Sequence, residues 1–150
     1  MCSKNSRLSL WALFALSLNV CSAQSFRIKG GETARPGFMT TLQLEVVRGD
    51  IAGPVRFAMP LPANWKASIP YENYGASLLS ARDEVQLVWL DFPLVDTLRC
   101  TIALQVPDDQ ALQPIAIAGS LSYFDTMGAQ KKLPSSSHSF KVMRYFSRYQ

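Results

Sequence analysis

Few residues in this chain are of the types that do chemistry, and its one histidine is His138. A serine hydrolase needs a histidine base held between a serine and a carboxylate. His138 stands in the polar stretch "SSSHS", which we interpret as a solvated loop that would hold a base poorly. No Gly-x-Ser-x-Gly nucleophile turn occurs in the chain. The sequence therefore does not favour nucleophilic catalysis.

Carboxylates are the next candidates, because glycoside hydrolysis uses two of them roughly 5 to 10 Å apart. Four acidic residues could supply such a pair: Asp83, Glu84, Asp91 and Asp96. Their spacing is typical of ordinary turns and strand ends, and no signal selects any two of them. We therefore predict that the protein is not an enzyme.

Metal and cofactor sites are not indicated either. Zinc sites usually use three or four Cys or His ligands, and Cys100 and His138 are the only two beyond the N-terminal segment. Asp108 and Asp109 in "VPDDQ" lack the spacing of a calcium loop and are interpreted as a turn between strands. Phosphate-binding and dinucleotide-binding glycine motifs are also missing. We predict no metal and no cofactor.

The first 23 residues have the three-part layout of a secretory signal peptide. A basic start with Lys4 and Arg7 precedes 13 apolar residues, 8–20, and the small-residue end "CSA". Because a membrane-spanning helix needs roughly 20 apolar residues, cleavage after Ala23 is favoured over a retained anchor. "LNVC" also resembles a lipoprotein signal that would lipidate Cys21, but Val20 stands where such signals carry a small residue.

Cleavage would leave residues 24–150 as a single domain with Cys100 as its only cysteine, so no internal disulfide could form. The formal net charge would fall from +4 to +2. No later segment is apolar for long enough to span a bilayer. The expected location is the periplasm, the outer membrane surface or the extracellular space.

Composition and charge indicate a packed globular domain, with 48% hydrophobic and 17% charged residues. The last twenty residues, 131–150, carry five basic residues and no acidic one. Because "FKVMRYFSRYQ" alternates basic and apolar residues, it is typical of an edge strand with a solvated face. We predict no nucleic-acid partner.

A period of two dominates the chain and predicts β-strands. In "TLRCTIALQV", Cys100 shares one face with Leu98, Ile102, Leu104 and Val106, which predicts a small core residue with a raised thiol pKa and little reactivity. In "TTLQLEVVR", apolar residues likewise alternate with Thr41, Gln43 and Glu45.

Further strands are predicted between stretches rich in turn-forming residues, with no sustained helical spacing. They are Phe26–Lys29, Val55–Met59, Ala67–Tyr71, Ser77–Leu79, Val85–Leu90, Ile115–Phe124 and Ser139–Tyr145. This pattern predicts an all-β, antiparallel sandwich of seven to nine strands. Trp89 is expected in the core, and Trp65, which follows the turn "PLPAN", is expected to be partly exposed.

The order of features resembles immunoglobulin-like and cohesin-like sandwich modules of bacterial secreted and cell-surface proteins. The resemblance rests on "RIKGGETARPGFMTTLQLEV", "GPVRFAMPLPANW", "EVQLVWLDFP" and "IAIAGSLSYF". In particular, it resembles modules of Bacteroidota envelope proteins, which share a Leu-Pro turn, a Trp-bearing strand ending in Leu-Pro or Phe-Pro, and a later strand with Gly, any residue, Leu or Phe, Ser and Tyr. The matching positions here are Leu61 and Pro62, Trp89, Phe92 and Pro93, and Gly119–Tyr123. The resemblance implies a non-catalytic module of a larger envelope assembly.

We therefore expect a non-catalytic, exported module that contacts another envelope or cell-surface protein. A partner strand could add at the basic C-terminal edge, Ser139–Tyr145, because exposed strand edges carry unpaired backbone groups.

The alternative is a carbohydrate-binding module. Trp65, Tyr71 and Tyr74 fall within ten residues and could form a platform on which sugar rings stack. A hydrolase with an unrecognised site is the third and least favoured possibility.

Overall fold

The computed structural model of the chain describes residues 23–81 and 83–144, and these form two β-sheets packed face to face with no helix among them. The predicted signal peptide and the end of the last predicted strand, Tyr145, lie outside the described residues, apart from Ala23. The strands, in chain order, are β1 (Ser25–Gly30), β2 (Thr33–Ala34), β3 (Met39–Val47), β4 (Ile51–Pro60), β5 (Lys66–Ser68), β6 (Ser77–Ala81), β7 (Glu84–Trp89), β8 (Thr97–Gln105), β9 (Pro114–Asp125), β10 (Gln130–Lys132) and β11 (Ser136–Val142).

The first sheet has the strand order β1-β3-β8-β5, and the second has the order β2-β11-β9-β4-β7-β6, with β10 paired to β9. Neighbouring strands are antiparallel, except that β2 runs parallel to β11. The predicted all-β sandwich is confirmed. No helix in the described segments is long and apolar enough to cross a membrane.

The core lies between the two sheets and is filled by the apolar residue of each alternating pair, as period-two patterning requires. Cys100 and Trp89 are both buried there, as predicted. The other large, fully buried side chains include Leu42, Leu44, Phe57, Leu87, Leu98, Ile102, Leu104, Leu121, Tyr123 and Phe140.

Strand β4 runs through a stretch that the sequence predicts to be a turn. The glycine and proline of "GDIAGP" mark a break, yet the strand begins at Ile51 and its pairing with β9 shifts register between Ala52 and Val55. Gly53 has a φ of 72°, which a glycine adopts at little cost. A β-bulge therefore absorbs Gly53 and Pro54 without ending the strand.

The chain changes sheets between β1 and β2, at Gly30 and Gly31. A Cβ atom at Gly30 would lie 2.8 Å from Leu42 Cδ2 and 2.9 Å from His138 Nε2. Glycine therefore permits the close packing of Gly30 against Leu42 and His138 where the chain crosses from the first sheet to the second. Alternation of apolar and polar residues cannot predict the next strand, β2, or strand β10, because they have only two and three residues.

Candidate functional site

Strand β6 is an open edge of the second sheet. Its five residues, "SLLSA", all pair with β7 on one side, and within the described residues no strand pairs with the other side. Proteins usually protect such edges with charges, prolines or bulges, because the unpaired backbone groups can pair with another chain. β6 contains no charged residue and no proline. Leu79 at its centre is 52% exposed.

Three other sheet edges in the described chain are short or charged. β1 carries Arg27 and Lys29, and β5 is three residues long and begins with Lys66. β2 has only two residues. Of these four edges, β6 alone is both long enough to pair and free of charge.

Four large exposed side chains lie in the two connections that adjoin the start of β6. Tyr71 and Tyr74 come from the β5–β6 connection, and Leu90 and Leu94 come from the β7–β8 connection. Between 40% and 85% of each residue's surface is exposed. We call these four residues the apolar end. Exposed apolar side chains grouped on a monomer commonly mark an interaction surface.

The two connections that form the apolar end are fixed by buried contacts. Trp89 donates a hydrogen bond from Nε1 to the backbone oxygen of Asn73, at 3.0 Å. Asn73 Nδ2 in turn donates to the Ala76 oxygen at 2.7 Å. The Phe92 ring packs edge-on against Trp89, with their ring centroids 5.8 Å apart. Tyr74 and Gly75, with φ values of 56° and 76°, turn the chain toward β6.

The predicted aromatic platform is not a single surface. Trp65 is only 3% exposed, so its expected partial exposure is wrong. Its Nε1 donates to Gln110 Oε1 at 2.7 Å, and its ring packs against Phe140. Trp65 follows a short turn, where side chains are often exposed, but the β8–β9 connection covers its ring. Glycan contact at Tyr71 and Tyr74 stays a prediction, and Trp65 is not accessible for it.

The C-terminal strand is not the free edge that the sequence suggested. β11 pairs with β9 along most of its length, and Lys141 and Val142 also pair with β2. Lys141 N donates to the Glu32 oxygen, and Met143 N donates to the Ala34 oxygen. The N-terminal half of β11 faces β1, because Ile28 N donates to Ser136 Oγ at 3.0 Å. Much of this edge is therefore covered by the N-terminal strands.

His138 lies in β11, not in a solvated loop as predicted. Its Nε2 lies 2.8 Å from the backbone oxygen of Gly31, so that nitrogen carries the proton. Its ring packs edge-on against Phe140, with centroids 4.8 Å apart. These contacts give the histidine a role in joining β11 to the crossover between β1 and β2.

The acidic candidates separate into two groups at opposite ends of β7. Asp83 and Glu84 lie at the β6–β7 turn, and Asp91 and Asp96 lie in the β7–β8 connection. At about 3.3 Å per residue, the length of β7 alone puts the groups roughly 17 Å apart, beyond the range of a glycosidase pair. Within the described segments, no three His, Cys, Asp or Glu residues form a metal-binding group.

Cys100 is buried with the apolar residues of β8, as its alternation predicts. Burial raises the pKa of its thiol to about 11 from an ordinary value of 9.0, because a thiolate loses its hydration there. A nucleophilic cysteine has its pKa lowered by nearby positive charge, which is the opposite condition. Cys100 is therefore a core residue.

Comparison with known protein families gives no match, and comparison with curated proteins gives none. Among solved structures, the chain is similar to the major pilin subunit of Bacillus cereus, with a TM-score of 0.64 and 9% identity. That match covers 80% of this chain and 40% of the pilin subunit, so this chain spans well under half of its length.

A cohesin module from a family 33 glycoside hydrolase of Clostridium perfringens is also similar, with a TM-score of 0.60 and 11% identity. This match covers 79% of this chain and 96% of the module. At these identities the similarity concerns the fold. The expected immunoglobulin-like or cohesin-like sandwich is thereby supported.

Proposed function

We propose that this protein is a non-catalytic, exported module of the bacterial cell envelope that works by binding another protein. The observation that carries the proposal is β6, an uncharged and open strand edge beside the apolar end. The fold is compatible with this role, because it is shared with a pilin subunit and a cohesin module.

Binding would begin with the backbone of β6. An extended segment of the partner adds as a further strand, and its amide and carbonyl groups pair with those that β6 leaves unpaired. These hydrogen bonds give affinity with little dependence on the partner's sequence. They extend the second sheet by one strand.

Specificity would come from side chains next to that edge. Leu79 projects from the outer face of β6, opposite Gln86 of β7. Tyr74 comes three residues before β6 and Leu90 directly after β7, at the end of the sheet where β6 begins. Aromatic and large apolar residues are enriched at the centres of protein interfaces, where they lose contact with water.

Export is the second part of the proposal. Residues 1–23 would direct secretion and be removed, which leaves 24–150 as the mature single domain. The periplasm, the outer membrane surface and the extracellular space all fit this route, and lipidation of Cys21 would anchor the protein. The motifs quoted above favour an envelope protein of the Bacteroidota type.

Site-specific photocrosslinking in the producing cells tests the binding proposal. A photoreactive residue replaces Leu79, and in a matched control it replaces Leu112, an equally exposed leucine in the β8–β9 connection. We expect one discrete envelope-protein adduct from position 79 and none from position 112. Equal adducts from both positions, or none from position 79, would contradict the proposal.

A charge variant tests strand addition itself. With the photoreactive residue moved to Leu90, the change Leu79→Lys should abolish the adduct, because an edge lysine opposes pairing. Leu112→Lys should leave the adduct intact. Persistence of the adduct in the Leu79→Lys protein would place the contact away from β6.

Glycan binding is the alternative, and the exposure of Tyr71 and Tyr74 is what favours it. A glycan array with the intact protein and with the double variant Tyr71→Ala, Tyr74→Ala distinguishes the two functions. Strong binding that the variant loses, with no envelope adduct from position 79, would establish the alternative.

A further inference from the structure

The outer face of the first sheet carries an ordered set of charges. The register places Arg27 of β1, Glu45 of β3 and Arg99 of β8 side by side in one row across the sheet. The neighbouring row contains Lys29, Gln43 and Thr101. Side chains in adjacent strands contact each other at this spacing.

Glu45 is the centre of this set. Its carboxylate lies 3.2 Å from Arg27 Nε, 3.0 Å from Arg99 Nε and 3.4 Å from Lys29 Nζ. The three cations cover it so fully that Glu45 is only 8% exposed, although it points away from the core. Each cationic side chain is itself about half exposed.

Each arginine contacts Glu45 through the Nε side of its guanidinium group and leaves the Nη side available to a ligand. Both make their closest approach to Glu45 through Nε, and the hydrogen bond from Arg99 also comes from Nε. In the described part of the chain, no hydrogen bond from the Nη atoms of either arginine is found. A guanidinium has five N–H donors, and its Nη edge matches a carboxylate group. Glu45 thus holds each arginine by its Nε, and both side chains remain more than half exposed.

The face has an excess of positive charge. Four cations stand at outward positions of its strands, Arg27, Lys29, Lys66 and Arg99, against the single acid Glu45. A surface of one sign attracts ligands of the opposite sign and speeds their association. The partner that fits this face is therefore an anion.

A shallow pocket of about 300 Å³ lies next to the charged row. Lys29, Thr41, Gln43 and Thr101 contribute polar side chains to its lining, beside the backbone of Gly30 and Gly31. Hydroxyl, amide and backbone groups of this kind can hydrogen-bond to the hydroxyl groups of a sugar. The pocket adjoins the charged row, because Lys29 lines the pocket and its Nζ also lies 3.4 Å from Glu45.

Aromatic and large apolar side chains are scarce on this face, which further limits the class of ligand that it can bind. No aromatic residue occupies an outward position of these strands, and Met39 is the one large apolar side chain exposed there. Single-stranded nucleic acids bind by stacking bases on aromatic rings, and protein interfaces are centred on large apolar or aromatic residues. Neither type of contact is offered here.

We propose that the outer face of the first sheet binds a carboxylated polysaccharide, with Arg27, Arg99 and Lys66 contacting its carboxylates and the adjacent pocket receiving a sugar unit. Glu45 is a positioning residue, since it orients the arginines and does not contact the ligand. This surface lies on the opposite sheet from β6. The proposal therefore does not depend on the proposed protein-binding function.

Binding of polygalacturonate fragments to the intact protein, measured by calorimetry at low ionic strength, tests the proposal. The double variant Arg27→Gln, Arg99→Gln should bind roughly tenfold more weakly or worse, because hydrogen bonds between charged groups are stronger than neutral ones. The control Lys132→Gln, Lys141→Gln removes the same charge from exposed positions on the second sheet and should retain binding. Dextran, an uncharged polysaccharide, should not bind.

Removing both arginines leaves Glu45 without two of its partners and could unfold the protein, so a second variant is needed that does not disturb Glu45. Lys66→Gln removes a cation of the same face that makes no ion pair with Glu45 in the described residues, and it should weaken binding about threefold, since charge–charge contacts at an exposed surface are modest. Equal weakening in the face variant and the control would show binding by net charge alone and overturn the proposal. Absence of binding to polygalacturonate, or equally tight binding of single-stranded DNA, would also overturn it.

Discussion

Trp89 and Asn73 are joined by a part-buried hydrogen bond, 3.0 Å long, from the indole Nε1 to the Asn73 backbone oxygen. This bond ties the middle of the β5–β6 connection to the last residue of β7. Leu90 follows Trp89 directly, and Tyr74 follows Asn73. The apolar end therefore owes its shape to a core residue.

Replacing Trp89 with phenylalanine should loosen this end. The Asn73 oxygen, a fixed backbone acceptor, would lose its donor, and leaving such a part-buried acceptor unpaired costs up to about 1–3 kcal/mol of the free energy of unfolding. The control Trp65→Phe also removes an indole donor, but its acceptor is the side-chain amide of Gln110, which can turn and bond to water instead. Urea unfolding of both variants should show the larger loss for Trp89→Phe. Equal losses would contradict the role of the Asn73 bond.

Gly119 should not tolerate a methyl group. A Cβ atom there would lie 2.5 Å from Phe57 Cε2 and 2.8 Å from Ile28 Cδ1, inside the core. Overpacking of this kind costs about 1–3 kcal/mol, which Gly119→Ala should show in urea unfolding. Gly31→Ala is the control, because the nearest atom to its Cβ is 3.9 Å away. A Gly119→Ala protein as stable as the control would show that Phe57 moves aside freely.

Cys100 should react slowly with a thiol reagent in the folded protein and rapidly after denaturation, because the buried thiol is both covered and hard to ionise. Peptide mapping after labelling assigns the modified cysteine. An exposed thiol introduced by Ser77→Cys supplies the fast reference in the same fold. Rapid native labelling of Cys100 would contradict the orientation of β8.

The raised pKa of Cys100 also predicts a loss of stability in alkali. The unfolded chain releases the thiol proton near pH 9.0, and the folded protein holds it until about 11. The contribution of Cys100 to stability is thus complete below pH 9 and is lost as pH rises through 11. Cys100→Ala should remove this part of the pH dependence, as measured by urea unfolding between pH 8 and 11. An unchanged pH dependence would show that other groups cause it.

Glu45 should govern part of the stability in acid. The hydrogen bond from Arg99, with the charges of Lys29 and Arg27, holds the pKa of Glu45 below its ordinary value of 4.5, although burial opposes this. Its contribution is therefore present above pH 4.5 and is lost as pH falls through the lower pKa of the folded state.

Glu45→Gln tests this contribution by denaturant unfolding between pH 7 and pH 3. The variant should be less stable than the natural protein at pH 7 and should approach it in stability at pH 3. Glu32→Gln, which changes an exposed acid outside this cluster, should follow the natural protein throughout. A Glu45→Gln protein with unchanged stability at pH 7 would show that the ion pairs contribute nothing.

Much of the secondary structure could be predicted, because alternation is a local property of the chain. β8 and β3 were predicted to within about two residues, and the inward orientation of Cys100 and the outward orientation of Glu45 follow from the same period. The sequence predicted a turn at Gly53 and Pro54. This was wrong, because a β-bulge accommodates both residues inside the continuous strand β4. β2 and β10 were missed since two or three residues carry no period.

The candidate sites were harder to predict. Trp65 and Tyr71 have similar local surroundings in the sequence, yet the β8–β9 connection covers one and leaves the other exposed. The C-terminal strand has the composition of an edge, and the residues that cover it, Thr33 and Ala34, come from the other end of the chain. Burial and edge position both depend on which distant segment packs nearby.

The sequence by itself determined that this protein is an all-β sandwich with an apolar, unreactive Cys100, because side-chain alternation and turn chemistry act within a few residues. Only the tertiary structure decided that β6 is an uncharged open edge in the described chain and that three cations from two neighbouring strands surround Glu45. Strand order and register join residues 16 to 54 positions apart here. Such pairings depend on how the whole chain packs, and no local pattern records them.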